Sequence, residues 1–319
     1  MGGEDQADET TAADGPAEGT PPPRAQSGAA QPAAGTDPGE PTRGAAGDAF
    51  DRARTSTVSP DIRAEIPTYV ANTKRWEGCR LTAYEDGQGK SIGYGHYYPN
   101  GDAPARITQA QADEFLQQDV EKGLAYLQKE WGARFTNAPP AVRQVMFDLM
   151  YNVGMEANTP FTPDNWPGFR RALGFVLEHP DDPRGYTALA TESLRRQTDL
   201  GINLDTLKSL NKARIDSGRP ILCDPRGKTQ DQIKARVLGT LNEDRVTARE
   251  ALLSASGPFT AAAVTADRAL DAYVAEREAL GLGGHYGRHD DLTSRNGWAF
   301  DLIEGAAPAG TAPLPGLHH

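Results

Sequence analysis

Apolar residues recur at helical spacing in the first patterned stretch of the chain, where Ile66, Tyr69, Val70 and Thr73 lead to Trp76. Within a few residues the period shortens to that of a strand: Leu81, Ala83 and Tyr84, a break at Asp86-Gly87, then Ile92 and Tyr94. A change of period over so short a distance predicts a helix running directly into a β-hairpin. Ser59-Pro60 supplies a cap residue and a first-turn proline, and Pro67 restarts the helix that carries Glu77 on its last turn. Asp86 and Ser91 fall in the hairpin that folds back toward it.

Tyr97 to Asp102 is dense turn signal, and Thr108-Gln-Ala-Gln111 reads as a capping box opening the next helix. Phe115, Leu116, Val120, Leu124 and Leu127 give that helix one apolar stripe, ending near Trp131-Gly132. Pro139-Pro140 opens a helix in which Val142, Val145, Met146, Leu149, Met150 and Val153 leave little polar face. Such a helix belongs in the middle of a bundle, and Gly154 stands where it should stop. A Pro- and Asn-rich loop over 158–167 holds Phe161 and Trp166, and helices are predicted over 168–178, 184–197 and 204–216. Beyond Pro220 the composition changes: a second capping box, Thr229-Gln-Asp-Gln232, precedes Ile233, Val237, Leu238 and Leu241, and another helical pattern runs over 259–280. There is no internal repeat.

The predicted fold class is α+β and mainly helical, with a small hairpin lobe and a helical bundle. Its parts are a disordered acidic tail over 1–50, a main folded region over 59–220, a helical region of unassigned role over 221–300 and a disordered tail over 301–319. The first 48 residues carry nine acidic and two basic side chains and almost no aliphatic ones, too little apolar surface to offset chain entropy. That segment holds −7 of the total charge of −11, so the acidity says little about the folded part. Without a basic stripe, nucleic acid is a disfavoured partner. No apolar run is long enough for a membrane span, and the acidic N-terminus lacks the apolar core of a signal peptide. Two cysteines, Cys79 and Cys223, fit buried reduced thiols better than a disulfide framework, although a bridge between them is open.

A carboxyl group at a helix end facing a second carboxylate on a turn suits acid–base work on a bond lying between them. The residues around this pair, Glu77-Gly-Cys-Arg-Leu-Thr-Ala-Tyr-Glu-Asp86 followed by Ser-Ile-Gly-Tyr-Gly-His96, resemble the active-site signature of phage-type lysozymes of glycoside hydrolase family 24. Thr108–Asp113, Ala141-Val-Arg143 with Asn152-Val-Gly154, Gly168-Phe169 and Leu173 extend the likeness. Gln197-Thr198 and Asn211-Lys-Ala-Arg214 are fainter echoes of the family's closing segment, so the resemblance covers about 65–218.

The resemblance implies a two-lobed fold with the substrate cleft between lobes, and a muramidase acting on peptidoglycan without metal or organic cofactor. Glu77 would protonate the glycosidic oxygen. Asp86 would orient or activate the attacking water, or stabilise charge on the sugar, and Ser91 would hold that water. An acid that must stay protonated gains from partial burial and a neighbouring carboxylate, and a hydroxyl can bind water without bearing charge.

The chain departs from the family pattern in two ways: Asp86 to Ser91 is one residue shorter, and serine stands for threonine. Because strand side chains alternate, the deletion turns Ser91 away unless the turn absorbs it, which Gly87 and Gly89 permit. Asp86 is also a turn former, and Ser91 also reads as an ordinary strand residue.

Arg80 is a candidate to hold a carboxylate, Glu77 or Asp148. Tyr94, His96, Phe161 and Trp166 are candidate sugar contacts, with packing as the alternative for each. His285, His289 and Asp290 raise the thought of zinc, but Gly281, Gly283, Gly284 and Gly287 oppose the helix that would align the histidines.

A monomer made in the cytoplasm is expected, reaching the wall by holin-dependent release or through a secretion system, as an endolysin or an antibacterial effector. The rival readings are a non-catalytic glycan-binding protein with a degenerate site, and a chitin- or chitosan-directed glycosidase.

Overall fold

The computed structural model describes residues 58–155, 159–194, 201–282 and 295–307. The acidic tail and the His285, His289 and Asp290 group lie outside the described residues. The short helix α1 (Pro60–Arg63) and helix α2 (Ile66–Glu77) each begin with proline in the first turn, where its missing N–H costs nothing. Gly78 ends α2, and the chain enters β1 (Arg80–Asp86), β2 (Gly89–Gly93) and β3 (His96–Tyr98), an antiparallel sheet in that order. The third strand corrects the reading of Tyr97-Tyr98 as turn: His96 to Tyr98 pair with Ile92 to Lys90 before the chain turns at Pro99.

Helix α3 (Gln109–Trp131) starts with the full capping box of Thr108 and Gln111. After a single turn, α4 (Ala133–Thr136), comes α5 (Pro140–Val153), buried along nine of its residues and therefore the central helix the pattern called for. Helices α6 (Pro167–Glu178) and α7 (Pro183–Ser193) follow. The latter stops at Ser193 rather than continuing to 197; Leu194 is already extended.

Helix α8 (Leu204–Asp216) leads to a long hairpin of α9 (Gln230–Ser254, again with a complete capping box) and α10 (Ala261–Ala279). Helix α11 (Arg295–Glu304) closes the described chain. It crosses the expected boundary at residue 300, so residues 301–304 are helix rather than disordered tail.

The division drawn at residue 220 does not correspond to a break in packing. The α9–α10 hairpin packs on α7, and α11 packs on α5 and α7. Buried charges bind these parts together. Arg214 of α8, 1% exposed, donates to Asp244 of α9 and Glu276 of α10, both at 2.7 Å. Glu192 of α7 accepts from Arg245 and Arg249 of α9 at 2.6 and 2.8 Å. A buried guanidinium is tolerable only when paired in this way, so each pair fixes the seating of its helix. Among the described residues, no helix is long and apolar enough to cross a membrane.

Candidate functional site

Glu77 occupies the last position of α2, half-buried, at the edge where the helix hands over to β1. Nine residues later Asp86 ends β1, and a two-residue turn brings Gly89 directly opposite it. Gly87 takes a φ of 62°, which a side chain would resist. Gly89 faces the carbonyl of Tyr98, and a Cβ there would lie 2.3 Å from that oxygen. The two glycines thus let the turn tighten, and Tyr84 stands across from Ser91. Since cross-strand partners share a face and strand side chains alternate, Tyr84, Asp86 and Ser91 lie on one face of the hairpin.

The shortened turn has therefore kept Ser91 on the side of Asp86. Ser91 is fully buried and donates its hydroxyl proton to Oδ2 of Asp86 at 2.6 Å; Asp86 is 3% exposed. The other oxygen, Oδ1, is buried without a hydrogen-bond partner. Tyr84 sits half-buried beside them. Burial raises its hydroxyl pKa, Asp86 and Glu77 add to the rise, and Ser91 and Arg80 oppose it.

Arg80 does not hold a carboxylate; its guanidinium lies over the Tyr84 ring, 4.7 Å from the centroid. The cation at Glu77 is Arg295, the first residue of α11. Its Nη1 is 2.8 Å from Oε1 of Glu77, and its Nε and Nη2 donate to Oδ1 of Asp148 at 2.8 and 2.6 Å. Arg295 is 7% exposed. Burial alone would lower its pKa, but Asp148 and Glu77 together raise it, so the guanidinium stays charged. One turn on, Trp298 packs against Trp76, the neighbour of Glu77, with ring centroids 5.8 Å apart.

Sequence reasoning missed Arg295. The signal for it was a helical pattern of Ala299, Phe300 and Ile303, all buried, behind a glycine-rich stretch.

The remaining candidates make the following contacts within the fold. His96 bonds Asp119 of α3 through Nδ1 at 2.9 Å and stacks on Phe115, which ties β3 to α3. Tyr94 accepts a hydrogen bond from Gln109 at its hydroxyl, and its carbonyl accepts one from Tyr151. Phe161 is 0% exposed, stacked on Trp131 and edge-on to Trp166 and Phe169, so it is core and not a sugar platform. Trp166 lies half-buried against it.

Cys79 is exposed and Cys223 buried, both free, so the expectation of two buried thiols holds only for Cys223. Among the described residues, no group of His, Cys, Asp or Glu is placed to hold a metal ion.

Residues 74–162 match the family model for phage lysozyme, which bears out the resemblance read from the motifs over that segment. The chain is similar to peptidoglycan hydrolase gp36 of Enterobacteria phage SP6, 21% identical over 181 residues that cover 51% of this chain and 17% of that protein. It is similar to an endolysin of Acyrthosiphon pisum secondary endosymbiont phage 1, 36% identical over 90 residues covering 28% of this chain and 59% of the relative. An endolysin of Lactococcus phage c2 is 33% identical over 132 residues, 40% of this chain and 55% of the relative. The chain thus spans a little over half of each endolysin and a small part of the hydrolase. No solved structure gives a significant match. The matched segment contains Glu77, Asp86, Ser91 and Asp148; Arg295 lies outside it.

Proposed function

We propose that the chain hydrolyses peptidoglycan as an N-acetylmuramidase, cleaving the β-1,4 bond between N-acetylmuramic acid and N-acetylglucosamine. The observation that carries this reading is the pairing of Asp86 with Ser91 across a tight turn, on the hairpin that follows Glu77. Glu77 is the general acid: it delivers its proton to the glycosidic oxygen as the bond breaks. Arg295 holds one of its oxygens and so limits how far the carboxyl can swing.

Asp86 acts as the second carboxyl group. Ser91 spends its only proton on Oδ2, so the serine oxygen keeps lone pairs that accept a hydrogen bond from water, while Oδ1 remains an acceptor with no protein partner. Water held between those two acceptors would be oriented and activated for attack at the anomeric carbon.

The names of the relatives, two endolysins and a phage peptidoglycan hydrolase, support peptidoglycan as the substrate. Turbidity of purified cell walls is the first test. The parent protein clears the suspension, and Glu77→Gln, which keeps the shape and removes the acid, does not. Clearing that survives the substitution removes Glu77 from the reaction, and a parent that never clears supports the glycan-binding rival.

A further inference from the structure

We infer that Arg80 is a specificity residue: its guanidinium binds a carboxylate carried by the muramyl residue of the substrate, at the edge of the site formed by Glu77, Asp86 and Ser91. The inference rests on the muramidase reading. In that reaction the anomeric carbon under attack belongs to the muramyl ring, so this is the sugar that sits beside Asp86 and Ser91. The same ring bears the lactyl group and, through it, the peptide stem. A carboxylate on either is thereby brought to the border of the site.

Arg80 opens β1, and its guanidinium lies over the ring of Tyr84, 4.7 Å from the centroid. Tyr84 stands across from Ser91, and Asp86, Ser91, Arg80 and Glu77 all act on its hydroxyl. Arg80 therefore lies on the face of the hairpin that carries Asp86 and Ser91. The ring restrains the guanidinium without neutralising it, because an aromatic quadrupole carries no net charge.

The charge of Arg80 is unclaimed. Arg143, Arg214, Arg249 and Arg295 each meet a carboxylate. Arg80 is half-buried, yet its side chain makes no hydrogen bond or ion pair to any described residue, and its nitrogens are open to solvent. A guanidinium in that state offers a planar fork of donors that matches the two oxygens of a carboxylate. The site also has a use for it. An anionic substituent drawn up to Asp86 is repelled by that carboxylate, and a cation on the same face offsets the repulsion. Arg295, the cation in contact with Glu77, is held by Glu77 and Asp148.

The test is steady-state hydrolysis of soluble peptidoglycan fragments by the full chain and by Arg80→Met, each checked for folding by its thermal transition. The fragments come in three forms: stems intact, stem carboxylates converted to amides, and stems removed by an amidase so that the lactyl carboxylate is free. On a form that carries the recognised carboxylate, kcat/KM of Arg80→Met falls about tenfold below the parent, with the loss in KM. On the amidated form the two proteins differ little. A gap on intact stems identifies a stem carboxylate as the ligand, and a gap on the stripped form identifies the lactyl carboxylate.

A gap of equal size on all three forms makes Arg80 merely structural and overturns the proposal, as does the lack of a gap on any form. If Arg80→Met does not fold, the parent alone decides: equal kcat/KM on the amidated form and on both carboxylate-bearing forms overturns it. Failure of the hydrolase reading is a different result, in which the parent digests none of the forms or Glu77→Gln digests them as well as the parent.

Discussion

Arg295 meets Glu77 at 2.8 Å, although the two stand near opposite ends of the described chain. The contact joins the last helix among the described residues to α2, and it makes the seating of α11 a condition for the geometry around Glu77. Replacing Arg295 by Met also removes a charged partner of the buried Asp148. Breaking a buried pair from one side costs roughly 3–5 kcal/mol, so Arg295→Met should lower the denaturation midpoint substantially. A midpoint within error of the parent would show that α11 contributes little to the fold.

Ser91 is buried and gives its proton to Asp86. Ser91→Ala leaves both oxygens of that carboxylate without a donor. Loss of one buried hydrogen bond to a charged group costs about 2 kcal/mol, and hydrolysis should fall on the order of 100-fold. Steady-state rates on soluble peptidoglycan fragments check this, and an unchanged rate would reduce Ser91 to an ordinary strand residue.

The tight turn depends on Gly89. A Cβ there would strike the Tyr98 carbonyl at 2.3 Å and the Tyr97 ring at 2.9 Å. Gly89→Ala should therefore cost about 1–3 kcal/mol, read as a lower thermal midpoint, with a parallel loss of activity as Asp86 and Ser91 move apart.

Asp267 on α10 is fully buried, and neither carboxylate oxygen has a hydrogen-bond partner. Burial, then Asp271, pushes its pKa up to about 7, with Arg268 opposing. A folded value above the unfolded one means the folded chain holds a proton that the unfolded chain has released. Stability is therefore fullest below about pH 4 for this group and declines as pH rises to about 7. Asp267→Asn should remove that decline, so its gain in thermal midpoint over the parent is larger at pH 8 than at pH 5. Equal gains at both pH values would contradict the assignment.

Much of this fold was legible locally. The two capping boxes at Thr108 and Thr229, the prolines opening α2 and α5, and the apolar circumference of α5 each act within one or two turns, and each element appeared where those residues put it. Local signals failed where the deciding partner was remote. Arg295 is 147 residues from Asp148, and no spacing rule connects them. The fate of Phe161 depended on Trp131 and Phe169, two helices apart, so an aromatic residue in a polar loop became core. The aim of Ser91 turned on strand register, which a sequence with two glycines in its turn left open.

The bond cleaved and the residue that protonates it together define the activity. The most direct measurement digests purified peptidoglycan, reduces the products with borohydride and identifies the reduced sugar at the new chain ends. A muramidase with Glu77 as its acid yields muramicitol from the parent and none above background from Glu77→Gln. Glucosaminitol, or muramicitol released equally by both proteins, would contradict it.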